Sequence, residues 1–84
     1  MRIKDGYVLR RVGKIGIVVG NAEEDYIATL NQTGVDLWEM LGEETQPSKL
    51  VQQMMAKYEV SREILEKDVR DFLRKIKKIG LLEE

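Results

Sequence analysis

The chain has 84 residues, 35% of them charged, a formal net charge of −1, and neither Cys nor His. That length makes one domain, residues 1–84, with a modest core and little room for a deep active-site cleft. The missing residue types exclude disulfides, thiolate metal sites, cysteine nucleophiles and histidine acid–base chemistry, and the near-neutral balance weighs against sequence-independent DNA binding.

The first third reads as strands. "YVLRRV" (Tyr7–Val12) and "IGIVV" (Ile15–Val19) are rich in β-branched residues, and Gly13-Lys14 between them suits a tight hairpin turn. Gly16 within the second run signals a bulge or a close backbone approach. "GNAEED" (Gly20–Asp25) has the composition of a turn, and "YIATL" (Tyr26–Leu30) is a third strand. The three form an antiparallel meander, whose edges must be covered or used.

At Asn31 the period changes from two to about 3.6. Asn31 suits an N-cap, with Val35, Trp38 and Leu41 at helical spacing and Gly42 as the stop. A second helix is expected with Thr45 as N-cap and Pro47 in its first turn; its apolar stripe is Leu50, Val51, Met54, Met55 and Tyr58. Met54 and Met55 therefore read as core filler rather than as a soft binding patch. Ser61 caps a third helix running to Ile79, with Gly80 at C′ and Leu81-Leu82 folding back as the cap's apolar contact. On that helix Leu65, Val69, Phe72, Leu73, Ile76 and Ile79 share the core face. Lys67, Arg70, Arg74, Lys77 and Lys78 lie opposite, and Ile64, Asp68, Asp71 and Lys75 run along one flank. The expected architecture is α+β and winged-helix-like: a three-stranded antiparallel sheet followed by three helices.

Little in this layout supports catalysis. The paired carboxylates Glu23-Glu24, Glu43-Glu44 and Glu83-Glu84 fall in turns or the tail, not in an enclosed pKa-shifting pocket. "GKIGIVVGN" has no Lys-Ser/Thr after its last Gly and precedes no helix, so it is not a phosphate loop. No enzyme activity, cofactor or metal is expected. No apolar run approaches the roughly 20 residues of a membrane span, and "MRIKDGYVLRR" lacks the apolar region of a secretory signal. A cysteine-free chain fits the reducing cytosol, so the expected location is cytoplasmic.

Two surfaces remain. The basic side of the third helix would suit a winged-helix nucleic-acid binder using Arg70, Arg74, Lys77 and Lys78. Glu63 and Glu66 interrupt that side and are placed for i,i+4 pairs with Lys67 and Arg70. The other surface is the edge of the third strand, which can take an extended peptide as an added strand. Its groove would be walled by Ile64, Asp68, Phe72 and Lys75 of the third helix. Alternatively the edge is paired within the protein, or to a second copy in a homodimer, and the flank is only solvated. Composition and period alone favour an internally paired edge.

The order of features, however, resembles the PqqD-like family. The matching pieces are Leu30-Asn31 with Thr33-Gly34, Trp38 and Leu41, then Tyr58-Glu59-Val60, Asp68-Val69, Phe72-Leu73 and Gly80-Leu81-Leu82. Each piece is a common capping or core pattern; their order over more than fifty residues carries the resemblance. It implies a non-catalytic peptide-recognition element of pathways for ribosomally made, post-translationally modified peptides. Such a protein binds the leader segment of a precursor peptide along its third strand and presents it to a modifying enzyme, a radical SAM maturase or a leader protease. Carried onto this chain, the groove is Tyr26, Ile27, Ala28, Thr29 and Leu30 on one side and Ile64, Asp68, Phe72 and Lys75 on the other. A proline at Ala28 is expected to abolish docking by removing a strand N–H.

Overall fold

The computed structural model describes residues 1–20 and 26–84. The expected turn at Gly20–Asp25 lies outside the described residues except for Gly20, which ends a strand. The elements are β1 (Arg2–Ile3), β2 (Tyr7–Val12), β3 (Ile15–Gly20), β4 (Tyr26–Leu30), α1 (Gln32–Met40), α2 (Pro47–Lys57), α3 (Arg62–Lys78) and β5 (Leu82–Glu83). β2, β3 and β4 form the expected antiparallel meander, with β3 in the centre and β4 at an edge. The α+β architecture, a three-stranded sheet followed by three helices, is as the sequence predicts.

The turns and caps follow their local chemistry. The β2–β3 hairpin closes with Val12 opposite Ile15, around Gly13 at a positive φ of 63°. Gly16 is a close approach: a Cβ there would sit 2.6 Å from Leu9 Cδ1 and 2.7 Å from Val35 Cγ2. The sheet's bulge lies elsewhere, at Val18/Val19 against β4. Asn31 Oδ1 accepts the Gly34 amide at 2.8 Å, and Ser61 Oγ accepts that of Ile64 at 3.3 Å. The end of α3 satisfies its carbonyls through Gly80 at φ 82°: the Gly80 amide donates to Lys77 O at 3.1 Å and the Leu81 amide to Ile76 O at 2.9 Å. Leu81 and Leu82 are buried as that cap requires.

Four expectations change. Thr45 does not cap α2; the N-cap is Gln46, with no side-chain bond. The Thr45 amide instead donates to Met1 O at 3.0 Å, and its buried hydroxyl has no hydrogen-bond partner among the described residues. Met55 is 42% exposed, and only Met54 of that pair fills the core. Ile79, the C-cap residue after α3 ends at Lys78, is 42% exposed and not part of the buried core. Lys67 pairs with Asp71 and Glu66 with Arg62, in place of the expected Glu63–Lys67 and Glu66–Arg70.

The core lies between the sheet and the helices, with Val18, Ala28 and Leu30 against Val35, Leu37, Trp38, Leu50, Leu65, Val69, Phe72 and Ile76. Within it Asp36 of α1 is only 3% exposed. Its carboxylate accepts from Lys57 Nζ at 2.9 Å, from Gln32 Nε2 at 3.3 Å, and from the Tyr58 hydroxyl. Burial pushes the Asp36 carboxyl up, but the bonds from Tyr58, Lys57 and Gln32 outweigh it and hold it below the usual value. The same bond to Asp36 pushes the Tyr58 phenol up. β1 and β5 pair as a short ribbon, Arg2 opposite Glu83 and Ile3 opposite Leu82.

Candidate peptide-docking cleft

The two sides of β4 are used differently. Opposite residues in an antiparallel ladder alternate between those that exchange backbone bonds and those that do not. The two-residue hairpin makes Val12 and Ile15 an exchanging pair, so Ile15 and Ile17 face β2 while Gly16 and Val18 face β4. Gly16 lies opposite Leu30, Val18 opposite Ala28 and Ile17 opposite Thr29. Ala28 and Leu30 therefore turn their peptide groups toward β3, and Thr29 turns its own toward the open edge. An independent contact agrees: the Thr29 carbonyl accepts Lys75 Nζ of α3 at 3.2 Å. The parity moves the proline test from Ala28 to Thr29.

The bulge resets the side chains. Strict alternation would bury Tyr26 with Ala28 and Leu30. Across the bulge Ala28 faces Val18 but Tyr26 faces Val19, so Ile27 is the extra residue of β4. Tyr26 is consequently turned outward, 66% exposed, and its hydroxyl lies 2.9 Å from Thr29 Oγ1.

Between the β4 edge and α3 opens a cleft of about 390 Å³. It is lined by Thr29 and Leu30 of β4, by Asn31, Thr33, Gly34 and Leu37 at the start of α1, and by Asp68, Asp71, Phe72 and Lys75 of α3. Of the residues expected at the groove, the cleft brings together Thr29, Leu30, Asp68, Phe72 and Lys75. Tyr26, Ile27 and Ala28 continue along β4 beyond it, and Ile64 stands one helical turn before Asp68. The sequence marks Asn31 as a helix cap and Thr33-Gly34 only as part of the family pattern; none of the three is expected at the groove, although Asn31 directly after the strand already places the helix start against it. Phe72 forms the apolar floor at 8% exposure, and a Cβ on Gly34 would stand 3.5 Å from its ring.

The other edges and grooves differ. Edge strand β2 carries Arg10 and Arg11, and Arg11 pairs with Glu39; charged edges resist strand addition. A groove of about 380 Å³ between α2 and α3, lined by Pro47, Val51, Val69 and Leu73 among others, adjoins no strand edge. The basic side of α3 is partly self-neutralised, with Lys67 bonded to Asp71 at 3.0 Å and Lys77 3.4 Å from Glu84. Among the described residues no acidic cluster is arranged to hold a metal ion, and no helix is long and apolar enough to cross a membrane.

The family model of coenzyme PQQ synthesis protein D (PqqD) matches residues 16–82. The chain belongs to the PqqD family. The PqqD match begins at the Gly16 contact and ends in β5, so it takes in the whole cleft. Among solved structures, TbiB1 in complex with the TbiA(beta) leader peptide is 31% identical to this PqqD-family chain. That alignment covers 99% of this chain and 95% of TbiB1, with a TM-score of 0.79. A lasso peptide synthetase B1 complexed with the leader peptide is 19% identical over 99% of this chain and 96% of its own; its TM-score of 0.75 shows a shared fold. No curated protein matches this PqqD-family sequence.

Proposed function

We propose that this protein is a non-catalytic adaptor. It binds the leader segment of a ribosomal precursor peptide as a strand added to β4, and presents the precursor to a modifying enzyme such as a radical SAM maturase or a leader protease. The observation that carries the reading is the β4 edge: it faces a cleft with an apolar floor, and its one identified outward carbonyl, on Thr29, is held by a displaceable ammonium. Backbone bonds to such an edge supply affinity, and side-chain pockets beside it supply selectivity. Membership of the PqqD family and the likeness to TbiB1, which binds a leader peptide, support the same reading.

Holding the leader also explains how an adaptor without chemistry accelerates a modification. Tethering one end of the precursor raises the effective concentration of its other end at the enzyme, so the enzyme need not bind every modified site tightly. The test is a fluorescence-anisotropy titration of labelled TbiA(beta) leader peptide with the wild-type protein and with Thr29→Pro. Saturable binding by the wild type and its loss in a folded Thr29→Pro variant are expected. Equal binding by both proteins would show that β4 is not the docking edge.

A further inference from the structure

The charges on the α3 wall of the cleft are unequally partnered. Asp71 accepts from Lys67 at 3.0 Å and lies 3.8 Å from Arg74; the Lys67 bond, aided by those cations, holds its carboxyl below the usual range. Lys75 is engaged with the Thr29 carbonyl. Asp68 lies on the same wall and has no hydrogen-bond or ion-pair partner among the described residues. One helical turn before it stands Ile64, at 53% exposure the most exposed large apolar side chain of α3. Residues four apart on a helix are surface neighbours.

Neither feature is unusual alone, since exposed carboxylates and scattered exposed isoleucines are ordinary. Together, at the end of a cleft that a docked strand would cover, they make a demand. Docking strips water from Asp68, and a carboxylate left dry and unpaired is costly. It also covers the Ile64 side chain, which favours an apolar neighbour. A long side chain with an aliphatic stem and a cationic head satisfies both: the stem lies along Ile64 while the head reaches Asp68. Glu cannot do this beside Asp68, and a short apolar residue leaves the carboxylate unpaired. The remaining charged groups of that wall would not compete for the cation, because Asp71 already has two and Lys75 would repel it.

We propose that Ile64 and Asp68 form a subsite that selects a Lys or Arg side chain of the docked segment, next to the stretch that pairs with β4. The proposal rests on the peptide-docking reading and adds the chemical class of one recognised side chain. In the bound state the selected cation replaces the water around Asp68, while the backbone bonds to β4 fix the register in which it arrives.

The experiment is a positional scan. Versions of the TbiA(beta) leader peptide carrying Lys, Gln or Glu at each position in turn are titrated against the wild type, Asp68→Asn and Asp68→Lys, with circular dichroism to verify each fold. The wild type is expected to favour Lys over Gln by about three- to tenfold at one position, the range spanning exposed and partly covered ion pairs. Raising the salt concentration should shrink that preference. Asp68→Asn should remove it, and Asp68→Lys should turn it into a preference for Glu at the same position. If Asp68→Asn keeps the wild-type ranking of Lys, Gln and Glu, or if the wild type ranks them equally everywhere, this subsite is overturned while peptide docking stands. If no version binds the folded wild type, the docking reading itself is contradicted.

Discussion

Asp36 shows what a single residue does for this scaffold. It ties α1 to Lys57 at the end of α2 and to Tyr58 just beyond, and so fixes the helix that follows β4. A buried carboxylate with three donors is costly to disturb, because its loss strands the donors as well. Asp36→Ala is expected to lower stability by about 2–3 kcal/mol in urea unfolding, with the slope unchanged. The pH dependence follows from the direction of the shifts. The Asp36 carboxyl is lower in the folded state than its ordinary 3.8, so its contribution is present above that value and lost as pH falls through the folded one. The Tyr58 phenol is raised above its ordinary 10.0, so its contribution is present below that value and lost as pH rises past it. Unfolding midpoints of wild type and Asp36→Asn should therefore differ most at neutral pH and converge in acid. Little of this was legible in the sequence. Asn31 and Ser61 could be read as caps because their partners lie three residues away, whereas Lys57 and Tyr58, which tie Asp36 to the far end of α2, lie 21 and 22 residues on.

At the scale of elements, β4 and its neighbours set the geometry of the cleft. Gly16 lets Leu9 of β2 and Val35 of α1 close over the sheet, and a methyl there would collide with both at under 2.8 Å. Gly16→Ala is expected to cost about 1–3 kcal/mol by overpacking, read from the urea midpoint. A pair of proline variants separates the two sides of β4. Thr29→Pro removes an amide that faces the open edge, where proline is tolerated, so the protein should fold and fail to bind peptide. Ala28→Pro removes an amide directed at β3 and should destabilise the sheet, by about 3 kcal/mol or more as proline does where it deletes a backbone bond. Circular dichroism with thermal unfolding distinguishes the outcomes. The sequence showed the strand and its edge, because "YIATL" is short, β-prone and bounded. It did not show the bulge at Ile27, since a bulge depends on the register of the partner strand and breaks the alternation by which Tyr26 would be placed.

Across the whole molecule, the core stripe of α3, the meander and the chain order were readable because each is a periodic pattern. The β1–β5 ribbon was not, since two-residue strands carry no period and their partners stand at opposite ends of the chain. For the site, the α3 wall was found from helical spacing, while the contribution of Asn31, Thr33 and Gly34 required knowing how α1 leaves β4. The molecule that results presents the β4 edge beside an apolar floor. The most direct test of this account is NMR titration of isotope-labelled protein with the TbiA(beta) leader peptide. Amide shifts should concentrate in Tyr26–Leu30 and at Ile64, Asp68, Phe72 and Lys75 on the cleft face of α3, with cross-strand contacts between the peptide and Thr29. Shifts gathered instead on Arg70, Arg74, Lys77 and Lys78, or along β2, would contradict it.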